Sequence, residues 1–214
     1  MKRTTARVTA AAVAAMMAMA SLSGCGVMSS ASKEAATQST TGTQQDSKEI
    51  HDLVLAHLAS TEISTFNLLN SQTQADVQYL TNMLDGLVEA DSYGNIVPGI
   101  ATDWVTEDGG KTWTFHLREG LKWSDGTDLT AKDFEYSFKR MANPDTAAPY
   151  AATCLGMIDG FDAAQAGDPD ALNVKASDDG KTLTIQLAYP CSYFDKLCAF
   201  AAMSPVQQAT VEAN

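Results

Sequence analysis

Apolar and polar positions alternate with two different periods along this chain, and the change of period marks its elements. Trp113, Phe115 and Leu117 alternate with Thr114 and His116, and Leu183, Ile185 and Leu187 alternate with Thr184 and Gln186. A period of two sets one face of a strand against a core and the other in water. Each run follows a short stretch and a glycine turn. Trp104-Val105-Thr106 precedes Glu107-Asp108-Gly109-Gly110, and Val174-Lys175-Ala176 precedes Asp178-Asp179-Gly180. Asp-Gly supplies the positive φ of a tight turn, so the pattern predicts two β-hairpins. Their likeness implies no repeat fold, because hairpin chemistry alone produces it.

Between the hairpins the period becomes helical. Phe134, Phe138 and Met141 share one face of a predicted helix from Thr130 to Met141. Thr130 caps its amino end, Asp133 suits the helix dipole, Leu129 and Phe134 form a staple, and Asn143-Pro144 stops it. A second helix is predicted over Thr73–Leu84 from Val77, Leu80 and Leu84, ending in a left-handed turn at Gly86. Leu53 to Leu58 reads as a strand, Asp91 to Asn95 as a turn before Ile96-Val97-Pro98-Gly99, and Ser204-Pro205 as the start of a last helix.

The amino terminus follows a different logic. Lys2, Arg3 and Arg7 precede the apolar, uncharged run Val8–Ala20, which is too short for a permanent bilayer span. Leu22-Ser23-Gly24-Cys25 then matches the bacterial lipobox. Residues 1–24 therefore read as a lipoprotein signal peptide, and Cys25 as the site of lipid attachment, which needs two or more acyl chains for a stable hold. Residues 25–49 are rich in Ser, Thr, Gln and Ala without an aromatic residue, as in a disordered tether.

Charge narrows the partners. The formal net charge is −12, and removing the three cations of residues 1–24 leaves −15. Nucleic-acid binding needs clustered Lys and Arg, so that class is set aside. Cys154, Cys191 and Cys198 remain after Cys25, an odd number in an exported chain, and are read as buried small hydrophobes. Cys191 and Cys198 are spaced to share a helix face. There is no CxxC, and His51, His57 and His116 are scattered, so no zinc site or other cofactor is expected. Cys154 with His116 would be a nucleophile–base pair for an exported hydrolase, but no local signature supports it.

A family resemblance covers about 150 residues. It runs through Leu84-Asp85-Gly86-Leu87-Val88, Gly94 to Trp104, and Gly110-Lys111-Thr112-Trp113-Thr114-Phe115-His116-Leu117-Arg118-Glu119-Gly120-Leu121-Lys122-Trp123-Ser124-Asp125-Gly126. It continues through Leu129 to Phe134, Phe138-Lys139-Arg140 and Thr146 to Ala151, then Val174-Lys175-Ala176, Leu187 to Pro190, Tyr193-Phe194 and Ser204-Pro205-Val206. In order and spacing this resembles solute-binding protein family 5, the peptide/nickel type. Pro149-Tyr150 is most similar to the oligopeptide branch, the substrate-binding lipoproteins of oligopeptide ABC transporters.

The resemblance implies an α+β chain, the amino-terminal part of a two-lobed periplasmic-binding-protein-like fold that closes on its ligand by a hinge. Residues 50–84 would start lobe I, 85–205 would be the hairpin-rich small α+β domain, and 206–214 would begin a return to lobe I. The rest of that lobe and the opposite lobe are expected to be missing. The aromatic residues of Lys111–Trp123 are expected to build the core, with Trp123-Ser124-Asp125-Gly126 pinning a loop. Tyr150 matches a tyrosine lining the family's peptide cleft. Ser71-Gln72-Thr73-Gln74 matches a loop that touches peptide through its main chain. The implied partners are an oligopeptide ligand, the ABC transporter permease subunits, and the membrane through the lipid on Cys25. Dipeptide, nickel, haem or sugar binding, or a surface signalling lipoprotein on the same fold, are the alternatives.

Overall fold

The computed structural model describes residues 63–213. The expected strand at Leu53–Leu58, the signal peptide, the tether and Cys25 lie outside the described residues. In chain order, a 3-10 turn (Leu68–Asn70) leads to helix α1 (Gln74–Leu80), then strands β1 (Val88–Ala90), β2 (Ile96–Pro98), β3 (Ala101–Glu107) and β4 (Thr112–Leu117). Helix α2 (Ala131–Ala142), a 3-10 turn (Pro144–Thr146), and helices α3 (Ala151–Leu155) and α4 (Phe161–Gln165) follow. A further turn (Pro169–Ala171), strands β5 (Val174–Ala176) and β6 (Thr182–Gln186), helix α5 (Phe194–Cys198), a turn (Ala201–Met203) and helix α6 (Gln208–Glu212) complete the described chain.

Both predicted hairpins form, and they join edge to edge. The antiparallel sheet has the order β3-β4-β6-β5, so the hairpins meet along the β4–β6 pairing. Register sets Trp113 opposite Ile185 and Phe115 opposite Leu183. All four are buried, while Thr112, Thr114, His116, Thr182 and Thr184 line the wetter face. The buried Trp113 indole donates to the Gly110 carbonyl at 2.9 Å, so its polar atom enters the core satisfied.

The turns explain their residues. Asp108, Gly109 and Gly110 all have positive φ, at 52°, 68° and 92°. A Cβ on Gly110 would lie 2.9 Å from the Cys191 carbonyl oxygen, so this turn also needs glycine for close packing. In β3 the pairing register shifts between Ala101 and Asp103, which makes Thr102 an extra residue. This bulge lets Ala101 and Trp104, of opposite parity, both face inward.

Helix α2 is capped as expected. The Thr130 amide donates to Asp133 Oδ2 at 2.7 Å, completing a capping box. Its face of Phe134, Phe138 and Met141 is buried and packs on β5 and β6. The half-buried Glu135 accepts from Lys139 at 2.8 Å and from the Ala176 amide at 2.8 Å, occupying a donor on edge strand β5. Trp123 is partly buried beside its turn, where its amide donates to the Thr127 carbonyl at 2.9 Å.

Some expectations need correction. The helix predicted over Thr73–Leu84 stops at Leu80. The Thr81 hydroxyl donates back to the Val77 carbonyl at 3.0 Å and the Asn82 amide group to Gln78 at 2.6 Å, so short polar side chains compete with the helix. Gly86 is not a left-handed cap. Its smallness serves packing, since a Cβ there would lie 3.2 Å from the Cys198 carbonyl oxygen and 3.9 Å from Ser204 Oγ.

Ser204-Pro205 does not open a helix either. Ser204 is extended and closes the Ala201–Met203 turn, and α6 starts only at Gln208. The reason is tertiary. Buried Ser137 of α2 accepts the Val206 amide at 2.8 Å while donating to the Asp133 carbonyl at 2.6 Å, which draws the chain across α2 in extended form. Gln207 is tied in turn to Asp125 at 2.7 Å and to Thr127 at 2.9 Å. These donors, Gln207 first and then Thr127, hold the Asp125 carboxyl down at about 2.

Finally, Cys191 and Cys198 do not share a helix. Only Cys198 lies in α5, and Cys191 sits in the preceding loop, its amide donating to Gly110 at 3.0 Å. All three thiols are free and buried, in line with their reading as core fillers.

Candidate functional site

The Ser71–Gln74 loop is built by capping at both ends. Asn67 Oδ1 accepts the Leu69 amide at 3.2 Å and opens the preceding turn. Thr73 Oγ1 accepts the Asp76 amide at 3.1 Å and opens α1. The Thr73 hydroxyl is therefore engaged with the helix, while the side chains of Gln72 and Gln74 are exposed. Asp76 is fully buried and accepts from Ser64 twice, at 2.7 Å from the amide and 2.6 Å from the hydroxyl. Those bonds, the Ser64 hydroxyl first and Thr73 next, hold its carboxyl well below the usual carboxylate range. Ser71 is buried and its hydroxyl has no hydrogen-bond partner.

Tyr150 stands at the amino end of α3, after exposed Pro149. Its carbonyl accepts the Cys154 amide at 2.9 Å. The side chain is half-buried, and its ring meets Phe200 edge-on, with centroids 5.2 Å apart and planes at 75°. Phe200 leads into the Ala201–Met203 turn, which packs against the Leu68–Asn70 turn just before Ser71. The Phe200–Met203 segment thus touches Tyr150 at its start and the turn just ahead of the Ser71–Gln74 loop further on. Sequence reasoning missed Phe200 because no local pattern announces a ring contact across 50 residues of chain.

The Cys154–His116 pair is not assembled. Cys154 is wholly buried, and burial pushes its thiol up to about 11. His116 belongs to the outer face of the sheet, where its Nδ1 meets Asp103 at 2.6 Å. The Cys198 thiol is raised well above its ordinary value by burial first and then by Asp195 and Cys154. Buried neutral thiols are inert. Among the described residues no group of three or more His, Cys, Asp or Glu could hold a metal ion. Among them also, no helix is long and apolar enough to cross a membrane. An open pocket of about 400 Å³ lies elsewhere, lined by residues including Leu117, Leu129 and Thr130. Its charged rim groups Lys181 and Glu119 pair at 2.8 Å.

The model of the bacterial extracellular solute-binding proteins, family 5 (middle region), matches residues 95–214, more than half of the chain, and the chain belongs to that family. Among individual relatives it is 42% identical over 144 residues to the periplasmic murein peptide-binding protein of Escherichia coli strain K12, covering 65% of this chain and 26% of the relative. It is 46% identical over 134 residues to the periplasmic oligopeptide-binding protein of Salmonella typhimurium, covering 61% of this chain and 24% of the relative. The chain thus spans about a quarter of the length of these two relatives.

Solved structures agree. That of the Escherichia coli murein tripeptide binding protein is 38% identical with a TM-score of 0.68, covering 72% of this chain and 30% of that one. The Haemophilus influenzae oligopeptide-binding protein in complex with RPPGFSPFR is 32% identical with a TM-score of 0.65, covering 70% and 29%. The mixed helix-and-sheet architecture is therefore part of the periplasmic-binding-protein-like fold of this family, a family of substrate-binding proteins and not of enzymes.

Proposed function

We propose that this chain is the amino-terminal portion of an exported, lipid-anchored receptor that captures oligopeptides on the outer side of the cell membrane and delivers them to the permease subunits of an ABC importer. Residues 85–205 would be its small α+β domain, with residues 50–84 and 206–214 belonging to lobe I. The observation that carries the reading is the identity, above 40%, to relatives named for binding murein peptides and oligopeptides. The half-exposed Tyr150 and the exposed loop at Gln72–Gln74 suit a ligand held through its backbone. Extended peptides are commonly held so, and a phenol can both cover a peptide group and hydrogen-bond to it.

Tyr150 is tested in a chimera in which residues 63–213 replace the matching region of the Salmonella typhimurium protein. Tyr150→Ala is expected to weaken peptide binding about tenfold by calorimetry, equivalent to about 1.4 kcal/mol. Unchanged affinity removes Tyr150 from the cleft.

The anchor has its own test. Cells expressing the chain and fed labelled palmitate are expected to label it, and Cys25→Ser is expected to abolish the label and release the protein from the membrane fraction. Equal labelling of Cys25→Ser would refute lipid attachment at this residue.

A further inference from the structure

The Ala201–Met203 turn follows Phe200, which touches Tyr150, and packs on the Leu68–Asn70 turn that precedes the Ser71–Gln74 loop. Its residues Ala202 and Met203 are 4% and 0% exposed, so the turn is fixed in the core. Two backbone bonds hold Phe200 at its start. The Phe200 amide donates to Leu197 at 3.0 Å, and the Phe200 carbonyl accepts from Met203 at 2.8 Å. One side of this turn packs on Leu68–Asn70, whose Leu68 and Leu69 are buried. The Phe200 ring closes edge-on upon Tyr150.

Tyr150 is partly buried against the core, and among the described residues its aromatic ring contact is with Phe200. It stands at the amino-terminal boundary of a five-residue helix and makes no side-chain cap. The 3-10 turn ahead of it, Pro144–Thr146, ends at left-handed Ala147, with φ of 50°, so no continuous helix runs into Tyr150.

We propose that Phe200 is a positioning residue: its ring edge fixes the orientation of the Tyr150 phenol, and the turn it begins holds Tyr150 and the Ser71–Gln74 loop to one rigid backing. This rests on the reading of Tyr150 as a cleft residue and adds to it a group that need not touch ligand. An edge-to-face contact fixes orientation, whereas an aliphatic side chain of similar bulk fills space without favouring one ring angle. A ring held in its binding pose before the ligand arrives loses less rotational freedom on binding.

The test separates position from packing. Tyrosine side chains are isotopically labelled in the 214-residue chain, and Tyr150→Phe identifies the Tyr150 ring signals by their loss. Phe200→Leu is expected to move those signals and the amide signals of Ser71–Gln74, and Phe200→Tyr is expected to leave both close to their original positions. Ile185→Val, a small cavity elsewhere in the core, is expected to leave them in place. In the chimera, Phe200→Leu is expected to weaken peptide binding about threefold or more, with Phe200→Tyr close to the parent, as loss of pre-orientation predicts. Tyr150 signals that stay put in Phe200→Leu overturn the proposal. So does unchanged affinity in Phe200→Leu when Tyr150→Ala weakens binding. A Tyr150→Ala variant with full affinity strikes instead at the cleft reading, and the ring signals still decide whether Phe200 positions Tyr150.

Discussion

Phe115→Ala is expected to cost about 3–5 kcal/mol of folding stability, the usual range for emptying a fully buried phenylalanine site. Phe115 is completely buried on β4, the strand that joins its own hairpin to β6 of the other. Its ring centroid lies 6.3 Å from that of Trp104 and 6.3 Å from that of Trp113. Across the sheet it faces Leu183, which is also fully buried. Truncation would remove the middle ring of three and leave neighbours fixed to two different strands, with little freedom to collapse. Urea unfolding followed by tryptophan emission would show a lower midpoint with an unchanged slope. A loss under about 1 kcal/mol would mean that the aromatic row is not the core of the sheet.

Gly160→Ala is expected to destabilise by about 2–4 kcal/mol, combining a left-handed backbone with overpacking. Gly160 has φ of +83°, and a Cβ there would fall 1.9 Å from the Ala171 carbonyl oxygen. The obstacle is backbone, so no side-chain rotation relieves it. The start of α4 would have to move away from the Pro169–Ala171 turn. Gly167 provides the control. It has φ of +106°, but a Cβ there would meet nothing within 4 Å. Gly167→Ala should therefore cost only the conformational part, about 1–2 kcal/mol. Equal melting temperatures for the two variants would show that the contact at Ala171 is not formed.

The elements readable from sequence were those whose signals are local. Trp113-Phe115-Leu117 and Leu183-Ile185-Leu187 mark strands by alternation alone, and Asp-Gly places their turns. Thr130 and Asp133 mark the start of α2 by mutual hydrogen bonding. Helices α3 and α4 escaped notice because each has five residues and no side-chain cap. Ser204-Pro205 has the composition of a helix start, but the Ser137 hydroxyl claims the Val206 amide from another part of the fold. Thr81 and Asn82 shortened α1 by bonding back to its carbonyls. Tyr150 and Ser71–Gln74 came into view through family resemblance and not through any periodicity. What the structure added was the Tyr150–Phe200 contact, a long-range approach that residue order does not display.

Gly86 and the segment Cys198–Ser204 approach within the width of a single methyl group. The passage that leads into β1 and the one that follows α5 are thus neighbours, like the two ends of a loop drawn through one ring. Bulk added at Gly86 would press on both passages at once, since a Cβ there would lie 3.1 Å from the Val88 carbonyl oxygen and 3.2 Å from that of Cys198.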